Sequence, residues 1–444
     1  MNFESLNINK PLLNALTDLE YMYPTPIQKE SFPIIMSGRD VVGIAQTGTG
    51  KTFAYLLPVL RQLSYSEQRD PRVLILVPTR ELVMQVIEEI KKLTVYMTVR
   101  VAGVYGGTNI NTQKKAVHDG LDILVATPGR MIDLAMNGVL KTKTIQKLII
   151  DEVDEMLNLG FRTQIINLLE TLIPKRQNLM FSATLTPDVD KLIQEHFINP
   201  YKIEITPHGT PIEKIIQFAY FVPNIATKIN LLELLLTEDA DMNKVLVFAN
   251  NKKLADRIHE HLNKKFAGKV GVTHSNKSHS VRLNALRKFK EDEYRILIAT
   301  DIIARGLDIS DVSHVINFDI SPIPGDYIHR IGRTGRANKD GIAISFVADY
   351  EHDFKQGIED MMKIKITKMS LPENLVISNL FTEDEHPTNL YDKHYLKAPT
   401  LKQSQGAFQE KKEKNKKINL GGPSKRNPKH GKAKMKNTPP NKRK

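Results

Sequence analysis

Residues 40–60 read DVVGIAQTGTGKTFAYLLPVL: an apolar run of strand length, a loop rich in glycine and threonine, then an apolar stretch able to start a helix. A strand entering a helix through such a loop is the repeating unit of parallel α/β sheets. In those sheets ligands sit at the carboxyl ends of the strands, which is where this loop falls. Backbone N–H groups of AQTGTGKT (45–52) suit the cradling of phosphates, so Ala45, Gln46, Thr47, Gly48, Thr49 and Gly50 are candidate contacts. Lys51 would reach the β- and γ-phosphates, and the Thr52 hydroxyl would ligate magnesium. Ala45 stands where the G-x-x-x-x-G-K-[ST] pattern has its first glycine, and a glycine-rich turn without a ligand is the competing reading.

Outward from this unit, short apolar runs ending in polar or glycine-bearing clusters alternate with helix-length stretches. They are RVLILVP (72–78), DILVATP (122–128), KLIID (147–151) and NLMFSAT (178–184), then KVLVFAN (244–250), RILIATD (295–301), HVINFD (314–319) and GIAISFV (341–347). The alternation predicts an α/β protein with parallel sheets. Between the two groups, ITPHGTPIEK (205–214) has the prolines, glycine and low apolar content of a linker. The expected organisation is a domain over 1–205, a linker over 206–214, a second domain over 215–370, an extension over 371–398 and a basic tail over 399–444. No residue-level repeat relates the halves, so any kinship between them would be structural.

Composition narrows the function classes. A chain of 444 residues implies two or three folded units, and 41% apolar with 25% charged residues excludes a wholly disordered or collagen-like polymer. Cysteine is absent, which removes disulfides, thiolate metal sites and cysteine nucleophiles. MNFESLNIN has no basic region leading into an apolar stretch, and no run reaches the length of a membrane span, so a cytoplasmic chain with no membrane partner is expected. The formal charge of +13 is localised: residues 401–444 hold 15 Lys and Arg against Glu410 and Glu413, and the rest of the chain is neutral. With scattered Pro and Gly and no helical period, that tail reads as a disordered arm for a polyanion, nucleic acid above all. A merely solubilising tail is the alternative.

A phosphate loop needs a partner carboxylate. LIIDEVD (148–154) brings Asp151 and Glu152 side by side at a strand end, one for a metal and one for a base or water-orienting group; a solvated turn is the bland reading. Late in the chain, YIHRIGRTGR (327–336) carries Arg333 and Arg336 three apart, able to share a helical face and act as arginine fingers from the second domain. A surface salt-bridged helix is the alternative there.

These segments, with PTPIQ (24–28), PTREL (78–82), GG (106–107), TPGR (127–130), SAT (182–184) and ATDIIARGLDI (299–309), closely resemble the DEAD-box ATP-dependent RNA helicases of bacterial type, over roughly residues 1–370. The resemblance implies two tandem RecA-like parallel-sheet domains, ATP and Mg²⁺ as cofactors, and RNA as partner. It implies that Gln28 reads the adenine edge, with Tyr21 near the base and Phe3 as the upstream aromatic. It puts Thr79, Arg80, Gly107, Thr127 and Arg130 on the RNA backbone, joined by Thr300 from the second domain. Ser182 and Thr184 would couple hydrolysis to strand separation, and Gly306 and Asp308 would meet the nucleotide across the cleft. Contacts of this kind go to phosphate and sugar, so little sequence specificity and steep salt dependence are expected.

Three departures from the family pattern stand out. Val153 replaces the alanine of the metal motif; Ser275 and His279 stand where THSNKSHSVR (273–282) would have Gly and Gln, with Arg282 kept as an RNA contact; Glu20 replaces a glycine beside the aromatic. Histidines 259, 261, 274 and 279 lack the accompanying carboxylates of a metal site. The expected mechanism is cleft closure by ATP and RNA together, with a bent RNA backbone that an A-form duplex cannot follow, hence local unwinding. A DNA-translocating helicase of the same superfamily and a non-enzymatic RNA clamp are the competing readings. Ribosomal precursors and RNA-decay machinery are the cellular partners compatible with a nonspecific RNA remodeller.

Overall fold

The computed structural model describes residues 2–46, 48–205, 215–301, 309, 312–335, 341–381 and 385. Thr47, Gly306, Asp308, Arg336, the linker 206–214 and the tail 399–444 lie outside the described residues. The first sheet contains β1 (Val41–Ile44), β2 (Val73–Leu76), β3 (Val101–Val104), β4 (Ile123–Ala126), β5 (Lys147–Asp151), β6 (Gln177–Ser182) and β7 (Tyr201–Glu204). Their order is β3-β4-β2-β5-β6-β1-β7, with every pairing parallel. The second contains β8 (Ile215–Phe221), β9 (Val245–Phe248), β10 (Val270–Thr273), β11 (Ile296–Ala299), β12 (His314–Asn317), β13 (Gly341–Val347) and β14 (Thr367–Met369). Its order is β10-β11-β9-β12-β13-β8-β14, again all parallel, so strand for strand it repeats the first sheet. The kinship absent from the residues is present in the topology.

Parallel sheets need cover on both faces. Around the first sheet run α1 (Lys10–Asp18), α2 (Pro26–Met36), α3 (Lys51–Gln62), α4 (Arg80–Leu93), α5 (Ile110–His118), α6 (Pro128–Met136), α7 (Val153–Asn158), α8 (Arg162–Thr171) and α9 (Pro187–His196). The second sheet has α10 (Ile225–Glu238), α11 (Lys252–Lys265), α12 (His279–Lys290), α13 (Pro324–Ile331) and α14 (His352–Met362). Alternation along each strand splits the core: Val41, Ile75, Val125 and Ile149 face α2, α3 and α4, whereas Val42, Leu74, Leu124 and Leu148 face α6, α8 and α9. Helix starts follow local chemistry. Thr79, Thr186, Asn224, Asn251 and Ser278 each accept a backbone N–H at a helix N-terminus, and Thr25 forms a capping box with Gln28.

Gln28 belongs to α2 and is buried. One sequence expectation is corrected. Arg333 lies beyond the end of α13 at Ile331, in a turn where Gly335 has φ 70°, so the helix expected to carry it has already ended. Of the extension, residues 374–378 lie along α10: Asn224 Nδ2 donates to the Ser378 carbonyl at 2.6 Å, Asn230 Nδ2 to that of Val376 at 2.8 Å, and Ser378 N–H to Thr227 Oγ1 at 3.0 Å.

Candidate active site

Strand order decides what meets at the carboxyl edge of the first sheet. β5, β6 and β1 are adjacent, with Ile44 opposite Ser182 and Asp151 opposite Phe181, so the glycine loop, the acidic pair and Ser182 emerge together. β3, β4 and β2 are likewise adjacent, with Val104 and Leu76 both opposite Ala126. That brings the loop 105–108, Thr127 and Thr79 out beside one another on the same edge.

In the glycine loop, Ala45 N–H donates to the Ser182 carbonyl at 3.0 Å and Thr49 Oγ1 to that of Gln46 at 2.7 Å. Gly48 and Gly50 adopt φ 82° and 88°, and Gly50 is the N-cap of α3. A Cβ on Gly50 would stand 2.4 Å from Gln28 Nε2, so this position excludes a side chain both by conformation and by contact. Gln28 Nε2 donates to the Gly50 carbonyl at 3.1 Å while its Oε1 accepts from Thr25 N–H at 3.0 Å. The glutamine is thereby tied to the loop. Tyr21 is half exposed, its ring 5.2 Å from that of Phe53, and Phe3 is buried in the core of the first sheet.

Lys51 is buried at 5% exposure, 3.5 Å from Glu152 Oε1, and its Nζ has no hydrogen-bond partner among the described residues. The ion pair with Glu152 offsets the burial of this ammonium, whose N–H donors are not otherwise engaged among the described residues. Asp151 is fully enclosed; Tyr55 donates to its Oδ2 at 2.9 Å and Glu152 N–H to its Oδ1 at 3.0 Å. Burial and the neighbouring Glu152 charge push its carboxyl up to about 7, against the pull of Lys51. Burial, with the Asp151 charge, also raises the Tyr55 phenol well above its ordinary range. Adjacent carboxylates such as Asp151 and Glu152 are a donor set that suits a hard divalent cation, and Thr52 lies in the first turn of α3.

Asp154 serves differently. Its Oδ2 accepts from Thr184 N–H at 3.0 Å and Thr184 Oγ1 at 2.8 Å, and lies 3.7 Å from His329 Nε2 of α13. Burial opposes its charge, but the His329 and Thr184 contacts overcome this and hold it well below the usual carboxylate range. Ser182 Oγ donates to the Thr184 carbonyl at 2.8 Å. A second contact between the sheets' helices joins Glu81 to Arg282 at 2.8 Å, with His279 3.9 Å away.

Over β3, β4 and β2, a cleft of about 400 Å³ is lined by Arg80, Gly106, Thr127, Gly129 and Arg130 among others. Arg80 stacks on the Tyr105 ring at 4.6 Å, and Thr79 is committed as the α4 cap, accepting from Leu82 N–H at 3.2 Å. Gly107, at φ 77°, turns the loop. In the second domain, Thr300 follows β11 beside Thr273, its N–H reaching the Thr273 carbonyl at 3.4 Å. Arg333 is buried at 6% exposure.

Residue reading missed Tyr55, Gln113 and Arg330. Arg330 is fully buried; it grips Asp301 through both oxygens at 2.6 Å, the Asp319 carbonyl at 2.6 Å and Asn250 Oδ1 at 2.9 Å. Asp154 and His329 stood inside quoted motifs, but nothing in sequence paired them.

Comparison with known proteins finds similarity over both sheets. The family profile "DEAD/DEAH box helicase" matches residues 25–192 and "Helicase conserved C-terminal domain" matches residues 227–338. The chain is 38% identical over 371 residues to the DEAD-box ATP-dependent RNA helicase CshA of Geobacillus kaustophilus, covering 83% of this chain and 78% of that protein. Among solved structures, S. cerevisiae Dbp5 bound to RNA and ADP BeF3 superposes with a TM-score of 0.74 at 27% identity, over 83% of this chain and 95% of the other. A point variant of Dbp5 bound to Nup159, a Gle1 variant, IP6 and ADP gives 0.56 at 26% identity, over 82% and 95%.

Proposed function

The chain belongs to the DEAD-box ATP-dependent RNA helicases, and from that premise we propose how its residues divide the work. It is an RNA helicase driven by ATP hydrolysis, built on two RecA-like domains. In our reading the domains span 1–205 and 215–370, joined by 206–214. The glycine loop and Lys51 bind the phosphates of ATP, and Gln28 with Tyr21 and Phe3 attends to the adenine. Mg²⁺ would be held by Asp151 and Thr52, where it neutralises phosphate charge. Glu152 orients and deprotonates the attacking water, and Arg333 and Arg336 supply positive charge from the second domain as phosphate charge builds. Gly306 and Asp308 face the nucleotide from that side.

RNA lies along the carboxyl edges, on Thr79, Arg80, Gly107, Thr127, Arg130, Arg282 and Thr300, held by its backbone with little sequence preference. Ser182 and Thr184 relay the nucleotide's state toward His329 through Asp154. The observation that carries this reading is the Asp154 carboxylate, which accepts from Thr184 in one domain and faces His329 of the other at 3.7 Å. It makes the hydrolysis motif a joint between domains. Short duplexes and ribonucleoprotein complexes are the substrates, ribosomal precursors and RNA-decay machinery the setting, and the cytoplasm the compartment.

The test is steady-state ATPase with structured RNA or matched DNA, beside Glu152→Gln. Strong stimulation by RNA alone, lost in the variant, is the expected result. Equal stimulation by DNA would overturn the RNA assignment, and RNA binding without any ATPase would leave a clamp.

A further inference from the structure

We infer that Gln113 sets the shape of the first domain's RNA-binding edge by tying Arg130 to the loop 105–108, an inference that rests on the RNA reading of that edge. Gln113 is on α5, nine-tenths buried, and its amide is fully committed. Its Oε1 accepts from Arg130 Nη1 at 2.7 Å; its Nε2 donates to the Tyr105 carbonyl at 3.1 Å and to Thr108 Oγ1 at 2.7 Å. Arg130 Nη2 donates in turn to the Thr108 carbonyl at 3.1 Å, and its Nε lies 3.5 Å from Asp133.

Most of the Arg130 fork is therefore engaged inside the protein, and its side chain is only 10% exposed. Arg130 therefore meets RNA from a position that the loop network fixes, rather than as a freely swinging guanidinium. The loop and the first turn of α6 are the parts left open: a Cβ placed on Gly106, Gly107 or Gly129 would meet nothing within 4 Å, so a sugar-phosphate backbone can approach closely. Tyr105, whose carbonyl Gln113 holds, also presents the ring on which Arg80 stacks at 4.6 Å. One amide thus connects three of the segments that line the cleft, α4, the glycine loop before α5, and α6. Gln113 touches neither RNA nor nucleotide in this scheme; it is a positioning residue.

The experiment measures the Kd of a short fluorescein-labelled single-stranded RNA by anisotropy for the full chain in the presence of a non-hydrolysable ATP analogue. The proteins are wild type, Gln113→Ala, Gln113→Met, Arg130→Ala and the Gln113→Ala/Arg130→Ala double variant. Loss of hydrogen bonds to a charged partner predicts a Kd raised about tenfold by either Gln113 substitution. Gln113→Met keeps the side chain's length, so a fall in its affinity cannot be ascribed to a cavity. Affinity for fluorescent ADP is the control for folding, because the nucleotide loop follows a different strand. The RNA concentration for half-maximal ATPase should rise by the same factor while the plateau rate stays within about twofold. The double variant should bind no worse than either single one by more than about threefold, the non-additivity of residues acting through one network. Unchanged RNA affinity in both Gln113 variants, or effects that simply multiply, would overturn the inference. Failure of the wild type to bind RNA at all would instead overturn the reading on which it rests.

Discussion

Glu152 stands at the N-cap of α7 with φ 55°, a left-handed conformation that a side-chain-bearing residue adopts at a cost of about 1–3 kcal/mol. The strain turns its carboxylate to 3.5 Å from Lys51 while Asp151 stays enclosed behind it. Glu152→Gln keeps the size and removes the carboxylate proposed as the base: phosphate release should fall at least about 100-fold, with fluorescent-ATP binding retained. Gly50→Ala should act on binding instead, because its Cβ displaces the Gln28 amide; ATP affinity is expected to drop about tenfold in the same titration. Lys51, Thr52 and the acidic pair were legible because each motif is contiguous and its residue types have few other uses. Gln113, Tyr55 and Arg330 were not, since their partners are 17, 96 and 29 positions away. An isolated Gln, Tyr or Arg declares nothing until the fold supplies its neighbour.

Strands buried on both faces announced themselves as unbroken apolar runs, and β2, β4, β9 and β11 are buried at every position. The strands that escaped detection sit mainly at sheet edges. β7 and β14 expose most of their residues, while β3 and β10 each spend a position on glycine. Those glycines have a packing cause: a Cβ on Gly103 would stand 2.5 Å from Ile87 Cδ1, and one on Gly271 2.6 Å from the Tyr294 ring. At the foot of β4, Asp122 gathers Arg72 at 2.9 Å and Arg100 at 3.0 Å. Burial works against its charge, but the hydrogen bonds from Arg100 and Arg72 hold its carboxyl below the ordinary range. Asp122→Asn should cost about 3 kcal/mol in urea unfolding at neutral pH, by leaving buried guanidinium charge without its carboxylate. The pH dependence follows from the lowered value. The wild type's advantage is complete above the unfolded-state value, so the stability gap between wild type and variant should shrink as pH falls below about 4.

Across the whole molecule, the two-domain plan was readable from the spacing of apolar runs, and the motifs placed the chemistry at the strand ends. The repeated strand order was hidden, because topology survives where residues do not. The contact of Glu81 with Arg282 joins the domains at 2.8 Å, on the edge proposed to hold RNA. Glu81→Ala should therefore raise the RNA concentration needed for half-maximal ATPase several-fold, measured beside unchanged ADP affinity. Truncation before Leu401 removes the chain's entire formal excess of +13 and should flatten the dependence of RNA affinity on salt. Strand order also has a consequence for synthesis. β1, which carries the glycine loop, pairs only with β6 and β7, Val41 lying opposite Leu179 and Tyr201. At about 5–20 residues per second, a ribosome needs roughly 7–30 s to deliver those partners. Throughout that interval the first strand has no place in a sheet, so a nascent chain acquires its nucleotide pocket late and all at once, when the sheet closes around a strand made long before.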